Sequence, residues 1–332
     1  MSSKTTRRVL LHPWVPDLAD PKQARSFFAL AQSAALVDGQ PPFSDQTLVD
    51  LRLGVKTALM LGESAAAVFS TPVFSTTSSA ASNVSAPSVS QRGLPAAEVE
   101  FVIAPDARGR GLGRQLLDEI LERIPGEVLI WAHGDHPASR ALAASHGFVQ
   151  VRTLLQLRAP VPAGAPTAAI AADPFRTDSF RVGIDDAEWL RVNALAFAFH
   201  PEQSAVSQSD LCQLMLEPWF NADDFLLLRR AAGETGAAGD EQIVGFCWLK
   251  VEVDTGIGEF YVVGVDPAAQ REGIGQRLMA TGLARLAERG CHTAALYVEA
   301  DNAPAVALYL RLGFTQYSSD IQYARTPKAA RN

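Results

Sequence analysis

The sequence contains the same strand–loop–helix segment twice, and this internal repeat limits the possible folds more than any other feature. Three pairs of residues share one offset of 162 positions (105 to 267): Pro105 and Pro267, Gly111 and Gly273, and Gly113 and Gly275. Equivalent residues at a fixed offset indicate a duplicated unit. Residues 159–174, rich in proline and alanine, separate the copies and have the composition of a linker. We therefore predict two domains of the same fold, at residues 8–158 and 175–326.

The loop of the second copy has the features of an anion-binding site. A buried strand ends at Val265, and a helix begins near Gly275 and continues to about Arg289, with apolar residues every three or four positions. Glycines between them let the backbone approach a ligand, and unpaired N–H groups at the helix start attract negative charge. The predicted phosphate contacts are Gln270, Arg271, Glu272, Gly273, Ile274, Gly275 and Gln276.

Three kinds of phosphate loop compete here with an ordinary strand–turn–helix corner. A Walker loop requires Lys and then Ser or Thr after its last glycine, whereas Gln276 and Arg277 follow Gly275. A dinucleotide-binding fold requires Gly-x-Gly-x-x-Gly, which is absent from the loop. The pattern Asp-Pro-x-x-Gln-Arg-x-Gly-x-Gly, which begins at Asp266, resembles the coenzyme A pyrophosphate loop of the GNAT superfamily of N-acetyltransferases.

The order of the predicted elements extends this resemblance along the chain. The second domain reads β-α-α-β-β-β-α-β-α-β, the order of GNAT enzymes, and residues 296–314 are also typical of them. Residues 37–39, 198–203 and 258–271 resemble tandem GNAT enzymes that acetylate the cysteinyl amine of cysteinyl-glucosaminyl-inositol. The resemblance implies an α/β fold with a mixed sheet, two tandem GNAT acyl-CoA N-acyltransferase domains, and N-acetyltransferase activity with acetyl-CoA as co-substrate.

Two side chains are predicted to carry the chemistry. Amide formation from a thioester needs a base for the attacking amine and a proton for the leaving thiolate. Glu259 begins the central strand and is the predicted base; because strands alternate, Tyr261 and Val263 are expected on the same face. The resemblance assigns the acid to Tyr309, four residues before Gly313. The alternatives are a solvated carboxylate at a strand end and a tyrosine of the core.

Further residues are predicted to bind the two substrates. Backbone N–H groups near Val263 and Val265 would bind the thioester and pantetheine as an added strand does. The resemblance also implies cofactor contacts at Gly264 and Asn302 and, in the first domain, at Val102, Ile103 and Ala104. It implies acceptor contacts at Asp45 of the first domain and at Glu202, Lys250, Glu259 and Tyr297. The alternatives are a plain helix cap for the asparagine and ordinary surface groups for the acceptor residues.

The repeat predicts alanine at both catalytic positions of the first domain. Ala97 stands where the other copy has Glu259, and Ala143 stands where it has Tyr309. Glu98 is adjacent, but a one-residue slip turns a side chain to the opposite face of a sheet. The glycine loop of this copy is retained. We therefore predict that the first domain is catalytically inactive and still able to bind a coenzyme A.

Composition narrows the functional class and the location. The net charge of -7 and a pI near 5.4 argue against a nucleic-acid or anionic-membrane partner. The apolar run after the basic start is too short for a signal peptide, and no transmembrane run follows. Cys212, Cys247 and Cys291 match no zinc spacing, which predicts a reducing cytosol and no metal. We expect a cytoplasmic monomer that acts on a small-molecule amine. The open alternatives are acetylation of another small amine, such as an aminoglycoside or a polyamine, and a non-catalytic acyl-CoA sensor.

Overall fold

Two compact units make up the chain. The computed structural model describes residues 11–70, 96–124, 126–162, 175–198, 206–230, 242–252 and 254–326. The first unit contains the described residues up to Leu154 and those from Ser318 onwards, and the second contains Leu155–Tyr317. The predicted domain ranges are based on the repeat in the sequence, whereas these units are defined by contacts between residues. The residues from Ser318 onwards therefore belong to the first unit, although they lie in the predicted second domain.

A mixed sheet forms the centre of the first unit. Its elements are β1 (Pro13–Trp14), α1 (Pro21–Asp38), α2 (Asp45–Arg52), β2 (Thr57–Leu61), β3 (Ala65–Phe69), β4 (Ala97–Ile103), α3 (Leu112–Arg123), β5 (Val128–Ala132), α4 (Pro137–Ser145) and the start of β6 (Val149–Pro160). The end of β12 (Thr315–Arg325) completes the sheet, whose order is β1-β2-β3-β4-β5-β12. Strands β4 and β5 are parallel, and the other neighbours are antiparallel.

The second unit repeats this architecture. Its further elements are β7 (Phe175–Ser179), α5 (Asp186–Ala196), α6 (Gln208–Leu214), β8 (Phe225–Arg230), β9 (Gln242–Glu252), β10 (Ile257–Val265), α7 (Ile274–Glu288), β11 (Thr293–Glu299) and α8 (Ala303–Arg311). The strand order is β6-β11-β10-β9-β8-β7, with β10 and β11 parallel. The predicted α/β fold with a mixed sheet is confirmed. The first two residues of the predicted linker, Ala159 and Pro160, are the last two of β6. Residues 163–174 of the linker lie outside the described ranges.

Helices cover both faces of each sheet. In the second unit α7 and α8 cover one face, where Leu278 shares an apolar cluster with Phe260 and Leu296. Helices α5 and α6 cover the other, where Trp189 lies 6.0 Å from Trp248 between ring centroids. We call these the α7–α8 face and the α5–α6 face. Burying each such side chain contributes about 1.5–3 kcal/mol to folding. None of the helices in the described ranges is both long and apolar enough to cross a bilayer.

The two parallel strands of the second unit diverge. Residues Ile257–Phe260 of β10 pair with Thr293–Leu296 of β11, and the later residues Val262–Val265 pair with β9 on the other side. Strands β4 and β5 of the first unit behave alike, since their pairing covers Ala97–Val99. Each unit therefore has an opening beside its central strand.

Strand β10 contains one extra residue. Its pairing with β9 shifts by one between Phe260 and Val262, so Tyr261 is the inserted residue of a β-bulge. Because the bulge interrupts the alternation, Tyr261 and Val262 both belong to the α5–α6 face, whereas Val263 packs on the α7–α8 face. The prediction that Glu259, Tyr261 and Val263 share one face is therefore wrong for Val263.

Candidate active site

The opening beside β10 exposes backbone hydrogen-bonding groups. The N–H of Asp266 donates to a carbonyl of β9 at 2.9 Å. Successive residues of a strand point their N–H groups to alternate sides. The N–H groups of Val263 and Val265 therefore point away from β9, towards the side from which β11 has diverged. An extended ligand can pair there as an added strand. Gly264 serves packing, because a Cβ on it would lie 2.5 Å from the ring of Phe246.

The glycine loop lies at the same end of β10. After a 3-10 turn, Gln270, Arg271, Glu272 and Gly273 are exposed. Arg271 and Gly273 adopt left-handed φ values of 71° and 78°. Helix α7 then begins at Ile274, and the described residues place no side-chain cap on its first turn. Its N–H groups and the helix dipole together favour a bound phosphate.

The flanks of this loop are held by packing and by an ion pair. The Nη2 of Arg230 donates to both carboxylate oxygens of Glu272 at 2.9 Å, which offsets the only acid in the loop. A Cβ on Gly275 would lie 3.3 Å from Leu308 of α8, so the helix start and α8 approach closely. Gln276 is exposed on the first turn. The loop thus lies between a surface ion pair and the packed start of α7, with its polar groups open to solvent.

Three of the predicted polar residues share the α5–α6 face. Glu259 lies opposite Lys250 of β9 and opposite Ala295 of β11. Paired residues point to the same face, and side chains alternate along each strand. Tyr297, two residues after Ala295, therefore shares the face of Glu259. Its hydroxyl accepts a hydrogen bond from Nε2 of Gln156 at 2.8 Å.

An aromatic wall borders these residues, and sequence reasoning missed it. The ring of Trp219 lies 4.9 Å from Tyr261 and 5.7 Å from Trp248, between centroids. The Nζ of Lys250 lies 5.8 Å from the Trp219 centroid and 3.7 Å from Oε1 of Glu252. The lysine is 7% exposed, so its charge is held close to this wall. The available signal was an aromatic pair in the polar segment after α6.

Tyr309 approaches the opening from the opposite face. It belongs to the cluster of the α7–α8 face, and its ring centroid lies 6.0 Å from that of Phe314. Burial, and secondarily the neighbouring Cys247, raise the pKa of Tyr309 to about 12. The phenol therefore keeps its proton at neutral pH. Glu259 and Tyr309 lie on opposite faces of the sheet, beside the point where the strands diverge.

Three other predicted contacts belong to other segments of the chain. Asp45 is an exposed residue at the start of α2 in the first unit. Glu202 lies outside the described residues. Asn302 caps α8, where its Oδ1 accepts from the N–H of Ala305 at 3.3 Å. The helix-cap alternative for Asn302 thus describes a contact that is present, and its contact with a ligand remains a prediction.

The first unit has the same opening but a different register. Strand β4 pairs with β3 without a bulge. Glu98 lies opposite Leu129 of β5, as Glu259 lies opposite Ala295 of β11. Leu129 lies as many residues before Gly147 as Ala295 lies before Gly313, and each of these glycines follows the next helix of its unit, so the two strand positions are equivalent. The prediction that Ala97 occupies the base position is therefore wrong. Glu98 occupies it, because the bulge residue of the second unit has no counterpart.

The opening beside β4 of the first unit also exposes backbone hydrogen-bonding groups. The N–H of Ala104 donates to a carbonyl of the β2–β3 turn at 2.8 Å. By alternation, the N–H of Ile103 points into the opening, and those of Val102 and Ala104 point towards β3. The carbonyl of Ile103 accepts from Nε of Arg108 at 3.2 Å. Buried Ala143 stands at the position of the α8 tyrosine.

A buried histidine of the first unit lies between two carboxylates. The Nδ1 of His133 lies 2.9 Å from Oδ2 of Asp320, and its Nε2 lies 3.8 Å from Oε2 of Glu100. Burial alone would lower the pKa of His133, but the two carboxylates raise it to about 10. Burial alone would raise the pKa of Glu100, yet hydrogen bonds and the nearby cations lower it. Within the described ranges, no group of three or more His, Cys, Asp or Glu side chains is arranged to hold a metal ion.

Comparison with known proteins adds independent evidence. The family model "Acetyltransferase (GNAT) family" matches residues 87–148 and 191–314. The chain is 40% identical over 323 residues to a mycothiol acetyltransferase of Sanguibacter keddieii, which covers 92% of this chain and 94% of that protein. It is 38% identical over 310 residues to a mycothiol acetyltransferase of Thermomonospora curvata, which covers 93% and 96%. Its fold is similar to a solved tandem GNAT protein from the clavulanic acid biosynthesis pathway, with a TM-score of 0.68 at 13% identity, covering 97% of this chain and 100% of the other.

Proposed function

The chain belongs to the mycothiol acetyltransferases of the GNAT family, and we propose that its second unit transfers the acetyl group of acetyl-CoA to the cysteinyl amine of cysteinyl-glucosaminyl-inositol, the last step of mycothiol biosynthesis. One observation carries the assignment to this unit. A single opening beside β10 has a free backbone edge, a phosphate loop at its end, and a carboxyl and a phenol on its two sides. In the first unit, buried Ala143 stands at the position of this phenol.

Binding of acetyl-CoA is proposed to use backbone groups for the most part. The N–H groups at the start of α7 take the pyrophosphate, because they are uncapped and lie at the positive end of the helix dipole. The N–H groups of Val263 and Val265 pair with the pantetheine arm as an added strand would. In this proposal the thioester lies near the middle of β10, between Glu259 and Tyr309.

The chemistry follows from these positions. The Glu259 carboxylate accepts a proton from the acceptor ammonium group, directly or through a water. The amine nitrogen then forms a bond to the thioester carbon, and backbone N–H groups of β10 stabilise the charge on its oxygen. The C–S bond breaks as the Tyr309 phenol donates its proton to the leaving thiolate, and the nitrogen loses its second proton, through solvent, to the phenolate, which leaves a neutral amide and restores the phenol. A phenol with a pKa near 12 is protonated at neutral pH, which this role requires.

Recognition of the acceptor is proposed to use the α5–α6 face. Lys250 supplies a buried positive charge, Tyr297 a hydroxyl, and Trp219 a flat apolar surface beside them. A sugar–inositol carries hydroxyl groups, which pair with such donors and acceptors. Glu202 keeps its predicted contact with this ligand. We also propose that the protein works in the cytoplasm as a monomer and needs no metal ion, in line with its dispersed cysteines and acidic composition.

The test is a turnover assay with acetyl-CoA over a panel of amines, in which the released coenzyme A is separated and quantified by chromatography, because the cysteinyl acceptor itself carries a thiol. The panel contains cysteinyl-glucosaminyl-inositol, an aminoglycoside, a polyamine and a peptide N-terminus. We expect kcat/KM for cysteinyl-glucosaminyl-inositol to exceed the others by several orders of magnitude. Comparable turnover of an unrelated amine, with none of the cysteinyl compound, would assign a different acceptor. Binding of acetyl-CoA without turnover of any amine would indicate a sensor.

A further inference from the structure

The first unit has a carboxylate at the base position, and a lysine of the same unit already occupies the space in front of it. Glu98 holds the strand position of Glu259, as the pairing with β5 shows. The Nζ of Lys56 lies 3.4 Å from Oε2 of Glu98. Lys56 precedes β2, and its side chain is 8% exposed. An ammonium group thus stands where an acceptor amine has to approach a base.

This ammonium group is fully coordinated by the first unit. Besides Glu98, it contacts Oδ2 of Asp50 at 3.5 Å and donates to Oγ1 of Thr47 at 2.9 Å. An ammonium group has three N–H donors and no acceptor, so these three acceptors match its capacity. Thr47 in turn donates to Oε1 of Glu100 at 2.9 Å, which links the cluster to His133. The contacts extend from the base position into the core.

We propose that the acceptor site of the first unit is a binding site for a primary ammonium group, closed by the side chain of Lys56 as a built-in ligand. This goes beyond the proposed function, which concerns the second unit. It gives a physical reason for an inactive first unit in addition to the missing phenol: an external amine cannot reach Glu98. It also identifies the ligand chemistry of the site, because two carboxylates and one hydroxyl oxygen select a cation with three N–H donors over one without any.

The proposal is tested by removing the built-in ligand and supplying its equivalent. Lys56→Ala deletes the atoms of an n-propylammonium ion and leaves Asp50 and Glu98 facing an empty site. Lys56→Met fills the same space without a charge and is the matched control. Melting temperatures of both variants and the parent are measured with increasing n-propylammonium chloride, and with tetramethylammonium chloride at equal ionic strength.

We expect n-propylammonium to raise the melting temperature of Lys56→Ala saturably by roughly 2–4 °C, as a ligand that binds only the folded state does. The Met variant and the parent should respond equally to both salts, because their site is filled. An equal response of Lys56→Ala to both salts would overturn the proposal. Acetylation by the second unit does not enter this measurement, so it can fail or succeed independently of the proposed function.

A second measurement applies even where Lys56→Ala fails to fold. In protein labelled with ¹⁵N-lysine, a shielded ammonium group held by three acceptors gives a side-chain resonance with slow proton exchange. We expect such a resonance in the parent, its loss in Lys56→Met, and its shift in Glu98→Gln. Spectra of the parent and Lys56→Met with the same slowly exchanging resonances would show that Lys56 is not held in this way, which contradicts the proposal.

Discussion

At the scale of single residues, equivalent carboxylates of the two units have different surroundings. Glu259 and Glu98 hold equivalent strand positions, each opposite the parallel neighbour strand. Glu98 forms an ion pair with Lys56 at 3.4 Å and has Ala143 where a phenol would be needed. Glu259 has Tyr309 on the opposite side of its opening. We therefore propose that the surroundings, more than the carboxylate itself, decide which unit performs chemistry.

Replacing the proposed base tests this difference directly. Glu259→Gln should lower kcat by roughly 10²–10⁴, because the amide cannot accept the proton of the acceptor ammonium group. The affinity for acetyl-CoA, measured by calorimetry, should barely change, since the phosphate loop is untouched. The matched control is Glu98→Gln, for which we expect kcat within about twofold of the parent. A near-parental kcat for Glu259→Gln at neutral pH would assign the base elsewhere.

The phenol of Tyr309 gives a prediction about pH. Burial raises its pKa to about 12, so it stays protonated where an ordinary tyrosine would ionise. We expect kcat of the parent to show no loss from this group between pH 7 and about pH 10. Tyr309→Phe should lower kcat at every pH in that range by a constant factor. A parental decline near pH 9–10 that is absent from Tyr309→Phe would show that the phenol ionises earlier than its burial implies.

At the scale of elements, the β-bulge at Tyr261 determines which residues of the two copies correspond, and a single sequence does not reveal such a bulge. The turn and the glycine loop align the copies correctly, and Asn302, for which a helix cap is the alternative that the sequence leaves open, accepts the capping hydrogen bond of α8. Because of this bulge, each residue that precedes Tyr261 in β10 is one position further from the glycine loop than its counterpart in β4. No motif precedes the bulge in both copies, so the sequence offers no alignment point before it. Alignment from the glycine loop alone therefore predicts Ala97 at the base position instead of Glu98.

Strand β12 supplies a prediction about stability. Its Asp320 pairs with His133, whose pKa of about 10 exceeds the unfolded value near 6.5. The folded state thus binds a proton more tightly, so this pair stabilises fully below about pH 6.5 and less as pH rises through 10. Asp320→Asn should lower the free energy of unfolding by roughly 3 kcal/mol at pH 6, and by less at pH 10.

The control for this prediction is an Asp–His pair whose carboxylate is exposed. Asp118 pairs with His146 at 3.1 Å, but its side chain is 51% exposed. Asp118→Asn should therefore change stability by at most about 1 kcal/mol at any pH. Melting curves from pH 6 to pH 10 compare the two variants with the parent. Equal effects of the two substitutions would show that burial of Asp320 does not increase the contribution of its ion pair to the free energy of unfolding.

At the scale of the whole molecule, a duplicated unit has the same helix start and strand opening twice and the proposed catalytic pair once. Both units have an uncapped helix start after a left-handed glycine, with φ of 85° at Gly111 and 78° at Gly273. Both have a diverging pair of parallel strands. Duplication and fold could be predicted from sequence because loops and glycines mark them. The coordination of Lys56 could not, because Glu98 lies 42 residues further along the chain and meets the lysine only in the folded unit.

The most direct test of the central claim blocks one glycine loop at a time and measures acetylation of cysteinyl-glucosaminyl-inositol. Gly273→Asp places a carboxylate at the proposed pyrophosphate site of the second unit, and Gly111→Asp does the same in the first. Aspartate tolerates the left-handed conformation better than most residues. We predict that Gly273→Asp lowers kcat/KM for acetyl-CoA roughly tenfold or more, by repulsion of the phosphates at the helix start, and that Gly111→Asp leaves it within about twofold. Parental activity in Gly273→Asp, with the loss in Gly111→Asp, would contradict the account and place the chemistry in the first unit.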